Sequence, residues 1–262
     1  MLTRTLPRFG SRRSTHVFER NFMVYRSQWL MLVSGFFEPL FYLLSIGIGL
    51  NHLVGNLTAG GRIISYATFV APGMLATSAM NGAVIDSIFN TFFRLKISHA
   101  YDAILATPLD VTDVALGEVW WALTRAAIYA ASFIGCMAIL GDAASPWVLL
   151  CWPAAILTSL AFSCLGLAAC TYLRSWQDFD LVALIQLPLF LFSATFFPIT
   201  LYPRWIGAVV SLSPLYQSAA LLRSIDLGQF QWIMVVRAGY LFALGLVGLS
   251  VAARRFRRIL VP

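Results

Sequence analysis

The residues able to do chemistry are few and unevenly spread. Four of the 11 carboxylates, Asp102, Asp110, Asp113 and Glu118, fall within one short stretch between apolar segments. Two more, Glu38 and Asp86, lie inside apolar runs. Asn81, Asp86 and Asn90 recur at spacings that bring them close to one helical face. A carboxylate at membrane depth costs at least ~2.5 kcal/mol and usually faces protein or water. Glu38 can line a path or bond across a subunit interface, or it can answer an arginine or the backbone freed by Pro39. The Asn81–Asp86–Asn90 face can form a polar vestibule for an amphiphile, or it can be the wetted end of a helix. Either acid could also carry protons down a gradient.

Other chemistry finds no support. Lys96 is the only lysine, and no GxxxxGK[ST] surrounds it, so a phosphate-cradling nucleotide loop is excluded. The three histidines, His16, His52 and His99, are far apart, and no HExxH or GxSxG occurs. The four cysteines lie in apolar stretches and read as small buried hydrophobes. Cys136 and Cys151 flank the turn at Gly141–Pro146, and whether they pair is left open by the sequence. No catalytic residue, metal site or cofactor of its own is expected. Any work the chain does draws on an ion gradient or on a partner.

The elements that must position these residues are membrane spans. Of 262 residues, 60% are hydrophobic and 11% charged, against about 25% charged in a soluble domain. That excludes an ordinary soluble enzyme and a disordered chain. It also excludes a nucleic-acid binder, because the basic residues gather at the two ends of an apolar chain rather than on a folded face. The segments are apolar on every side, unlike the alternating strands of a barrel.

The chain is read as an all-α polytopic membrane protein of six transmembrane helices. Residues 1–28 form a basic leader and an amphipathic interfacial helix, with Phe18, Phe22, Tyr25 and Trp29 on one stripe. Residues 29–253 hold the spans: 29–50, 63–93, 119–140, 147–173, 181–197 and 232–253. A polar loop at 51–62 joins the first two. A short cytoplasmic helix is expected over 98–109, capped by Ser98 and ended at Thr107-Pro108. Asp110 caps the next helix, with Asp113 in its first turn. Residues 198–231 carry Pro198, Pro203, Pro214 and Gly228 yet stay apolar, the pattern of a re-entrant element. Residues 254–262 form a basic tail. With both termini cytoplasmic, 13 basic residues lie inside and three outside, so the plasma (inner) membrane and this orientation are expected.

The stretch Tyr101-Asp-Ala-Ile-Leu-Ala-Thr-Pro-Leu109 resembles the coupling-helix motif of type-2 ABC transporter permeases, the ABC-2 family, and continues through Leu116–Trp121. Phe36–Tyr42, Phe69–Met74, Phe190–Pro198 and Ser213–Leu215 are similar to family segments in the same order. The nearest branch is that of nodulation lipo-oligosaccharide and daunorubicin-type drug exporters.

The resemblance implies a permease subunit that exports an amphiphile across the membrane. It implies a second permease, identical or homologous, and two cytoplasmic ABC ATPase subunits that bind ATP and Mg. It also implies that Tyr101, Asp102, Ile104, Leu105, Thr107 and Pro108 couple to the ATPase. Phe197, Pro198, Pro203 and Trp205 would belong to an outer gate, although Tyr202 and Arg204 stand where the family usually carries polar or acidic residues. The alternative is a secondary transporter driven by protons through Glu38 or Asp86.

Overall fold

The computed structural model describes residues 19–23, 41–59, 61–98, 100–106 and 109–260. Glu38, Thr107 and Pro108 lie outside these residues, as does the start of the first expected span. That span enters as α1, Phe41–Leu50, followed by one helical turn at Asn51–Val54.

The expected polar loop is partly a hairpin. Strands β1, Asn56–Ala59, and β2, Arg62–Ser65, pair antiparallel with Leu57 opposite Ile64 and Thr58 opposite Ile63. Leu57 and Ile64 share one face and pack on the core. The all-α expectation is corrected to this extent, and the second span starts at Tyr66 rather than Ile63.

That span, α2, runs over Tyr66–Ile97. Ser65 caps it by accepting from the Thr68 N–H at 3.1 Å. Its 32 residues extend ~48 Å at 1.5 Å each. That exceeds a hydrocarbon core of about 30 Å, so one end projects. The projecting end is wound as π-helix over Ile85–Asn90 and again over Phe93–Ile97. Ser98 closes this end: its N–H and hydroxyl both donate to the Phe93 carbonyl. It therefore terminates α2.

Helix α3 is Ala100–Leu105, shorter than the expected 98–109. Helix α4 is Val111–Leu140. The Asp110 N–H donates to Asp113 Oδ2 at 3.1 Å, as the first-turn acid predicts. Gly141 closes α4 at φ 78°, a left-handed position suited to glycine.

A 3-10 turn at Pro146–Leu150 leads into α5, Cys151–Cys170, the central helix of the bundle. Its small residues permit close approach. A Cβ on Gly166 would fall 2.1 Å from Ser87 Oγ of α2, and a Cβ on Gly248 would fall 2.7 Å from the Cys164 backbone. All four cysteines are buried free thiols, so Cys136 and Cys151 are not paired.

The fifth expected span is a 13-residue helix, α6, Phe179–Leu191, ~20 Å long and largely exposed on its flanks. It breaks at Phe192–Pro198, where Ala194 takes φ 52°. Helices α7, Arg204–Leu212, and α8, Pro214–Asp226, follow with an 87° bend between them. Helix α9, Trp232–Leu260, carries the basic tail as a continuation of its last turns.

Among the described residues, four helices are long and apolar enough to cross a membrane. The bent α7–α8 pair gives a fifth if it counts as one span. The chain is a mostly helical, multi-pass membrane protein.

Candidate functional site

The polar residues of the bundle converge at the end where α3 joins α2 to α4. Helix α4 places Glu118 two turns beyond its capped start, on the face toward α2. The Glu118 carboxylate is buried and accepts from three separate elements. Arg94 Nη1 of α2 donates to Oε2 at 2.5 Å, Tyr101 Oη of α3 to Oε1 at 3.2 Å, and Asn21 Nδ2 to Oε2 at 3.2 Å. Burial, then the Glu118 charge, pushes the Tyr101 phenol well above its ordinary range. It therefore stays protonated and donates.

Two turns deeper, Asp86 of α2 is ion-paired to Arg125 of α4, and Asn90 Nδ2 donates to the same Oδ1 at 2.9 Å. Arg125 also donates to the Tyr129 hydroxyl at 3.2 Å. The two ion pairs face a common cleft lined by Asp86, Asn90, Arg94, Glu118 and Ser163. Removing one partner of such a pair leaves the other as an uncompensated buried charge.

Tyr101 is 1% exposed and lies edge-on to Phe256 of α9, with ring centroids 6.1 Å apart. It anchors α3 to the chain's own bundle. Ile104 is half-buried, and Ala103 of α3 and Ala106, just after its end, are exposed. Asp102 and Leu105 lie in the helix, but their side chains fall outside what is described.

Asn81 does not join Asp86. Its Oδ1 instead accepts from Gln186 Nε2 of α6 at 2.6 Å. Arg125 is held by Asp86.

At the opposite end, Phe197 lies against Tyr202 with the rings tilted by 47° and their centroids 5.0 Å apart, Pro198 is half-buried, and Pro203 and Trp205 are exposed. The residues organising this end are others. Arg223 of α8 donates to the carbonyls of Phe69, Ala194 and Thr195 at 3.1, 3.1 and 3.2 Å, and its guanidinium lies 3.9 Å over the Phe69 ring. Asp226 accepts from the Ala144 N–H at 3.2 Å, and Ser145 donates to the Asp226 carbonyl. The positions of Glu118, Arg223 and Asp226 signal nothing by themselves, because their partners are distant in sequence.

The fold and its polar end define a multi-pass membrane protein with a short helix displayed outside the bundle. The family model described as ABC-2 type transporter matches residues 14–227. The chain belongs to the ABC-2 type transporter family. It is similar to Nodulation protein J of Rhizobium leguminosarum bv. trifolii, 34% identical over 84% of this chain and 83% of that protein. It is also similar to Nodulation protein J of Rhizobium meliloti (strain 1021), 30% identical over 94% of this chain and 93% of the relative. Inner membrane transport permease YadH of Escherichia coli (strain K12) is 25% identical over 63% of this chain and 64% of its own length.

Proposed function

We propose that this chain is the permease subunit of an ABC exporter in the plasma (inner) membrane. It moves an amphiphile of drug, lipid-linked or lipo-oligosaccharide type with ATP hydrolysed by separate cytoplasmic subunits. Two such ATPase subunits dock on a pair of permeases, identical or homologous. The observation that carries this reading is α3: a short helix outside the bundle, in a chain of the ABC-2 family, fastened to the spans by Tyr101. The distribution of arginines supports placing α3 and both termini in the cytoplasm.

The sequence motif gives all six of Tyr101, Asp102, Ile104, Leu105, Thr107 and Pro108 to coupling, and the contacts support a division among them. Tyr101 holds the helix, while the exposed side around Ala103 and Ala106 meets the ATPase. The bend between α7 and α8 supports a re-entrant element near an outer gate that includes Phe197, Pro198, Pro203 and Trp205. Export by proton exchange at Asp86 draws less support, since that carboxylate is engaged by Arg125 and Asn90.

The test is co-purification of the chain with its soluble ATPase, followed by ATP hydrolysis in lipid. Ala103→Glu is expected to reduce the bound ATPase about tenfold or more by placing a charge in the contact, with membrane insertion unchanged. Undiminished docking of Ala103→Glu, or transport that follows a proton gradient without ATP, would contradict the reading.

A further inference from the structure

The cleft beneath α3 shows how motion of that helix would enter the membrane. Three observations bear on it. Glu118 alone gathers donors from the helix at 19–23, from α2 and from α3. Its two oxygens face different ways: Oε1 takes the Tyr101 hydroxyl, and Oε2 takes Arg94 and Asn21. A carboxylate can do this because it offers about four lone-pair sites and no proton.

The second observation is the winding of α2. Its two π segments, Ile85–Asn90 and Phe93–Ile97, are separated by Thr91 and Phe92. A π segment marks a place where a helix accommodates an extra residue and can change its pitch, and such segments are frequent at functional sites. The third is that each π segment is gripped by one ion pair to α4: Asp86 with Arg125 in the first, Arg94 with Glu118 in the second. The stiff helix α4 thus holds the pliable part of α2 at two points, and the lower point is shared with α3.

We infer that Glu118 is a positioning residue that locks α3 to the π-wound end of α2 and to the helix at 19–23. Displacement of α3 then reaches the second span as one movement. This rests on the reading of α3 as the ATPase-docking helix and adds the route by which docking is felt. Glu118 touches neither nucleotide nor substrate and acts through Arg94, Tyr101 and Asn21. The Tyr101 hydroxyl is the link on the α3 side, and its ring on Phe256 is a separate contact.

The test is hydrogen–deuterium exchange of the full complex in lipid nanodiscs, without nucleotide and with ATP plus vanadate. In the unmodified complex, both 100–106 and 85–97 change protection on nucleotide binding. Tyr101→Phe keeps the ring on Phe256 and removes the hydroxyl. Glu118→Gln keeps the shape and removes the charge that holds Arg94. In each variant the change at 100–106 persists, whereas the change at 85–97 falls about tenfold.

A merely structural role would alter protection equally in both nucleotide states. That outcome, or an undiminished response at 85–97 in both variants, overturns the inference. Should Glu118→Gln not assemble, Tyr101→Phe alone decides, since its packing is intact. If the unmodified chain binds no ATPase, the proposed function falls and this inference falls with it. Docking with an unaltered response at 85–97 sinks the inference alone.

Discussion

The two ends of the bundle solve the same problem, a charge among apolar helices, in different ways. At the α3 end, cations meet carboxylates: Arg94 with Glu118 and Arg125 with Asp86. At the α8 end, the charges meet backbone. Arg223 is spent on the carbonyls of Phe69, Ala194 and Thr195, and Asp226 takes the Ala144 N–H.

A side-chain pair between two helices can be broken and remade as the helices slide. A charge bonded to main chain fixes one loop conformation, here the break at Ala194 with φ 52° and the turn after Gly141. The first arrangement suits an end that moves, and the second an end that keeps its shape. Both satisfy the requirement that polar groups away from water be paired.

The contrast can be broken most severely at Arg223. Arg223→Met is expected to cost about 3 kcal/mol or more, because three carbonyls lose a charged donor together. Thermal unfolding in detergent measures it. Arg223→Lys should recover only part, since an ammonium cannot span the three acceptors as the planar guanidinium fork does. Full recovery would mean that charge alone matters there.

Asp86→Asn is the next largest, about 2–3 kcal/mol, because it leaves Arg125 without its counter-charge. Asp86→Asn combined with Arg125→Met should be milder than Asp86→Asn alone, which is the mark of an exchangeable pair. The same unfolding experiment reads both. Asp226→Asn should cost about 1–2 kcal/mol and loosen exchange of the Ala144 amide without touching the α3 end.

The smallest effect concerns Asp178, which caps the turn before α6. Its Oδ2 accepts the Arg174 and Ser175 N–H groups at 2.6 and 3.1 Å, and these bonds lower its pKa. A depressed carboxylate contributes above the ordinary aspartate value of about 3.9 and loses that contribution as pH falls through the lower folded value. The Arg174 and Ser175 amides should therefore lose protection, relative to their intrinsic exchange rates, only below about pH 4. Asp178→Asn should remove that pH dependence.

What could be read from sequence followed from local chemistry. The membrane nature, the family resemblance and the Asp110–Asp113 cap all rest on contiguous residues. The polar end was legible only as a list of members. Asp86 and Asn90 lie four apart and do bond, but Arg125 lies 39 residues from Asp86. The donors to Glu118 lie 17, 24 and 97 residues away. No periodicity predicts such pairings, which are set by how α2 and α4 pack.

The same holds for Tyr101, whose ring is buried against Phe256, far along the chain. The hairpin at Asn56–Ser65 escaped because strands of four residues are too short for an alternation to stand out. That Ser98 ends α2 was equally hidden, because π winding carries that helix on to Ile97.

The central claim is that α3 is where this chain meets its ATPase. Site-directed cross-linking tests it directly. All four native thiols are buried, so a maleimide–succinimidyl ester cross-linker attaches through its maleimide to an introduced cysteine and through its ester to a lysine amine of the ATPase. Ala103→Cys on the exposed side of α3 should give an adduct between the chain and the co-purified ATPase, and Leu201→Cys at the opposite end should give none. Equal adducts at both positions, or none at Ala103→Cys from an intact complex, would contradict the account.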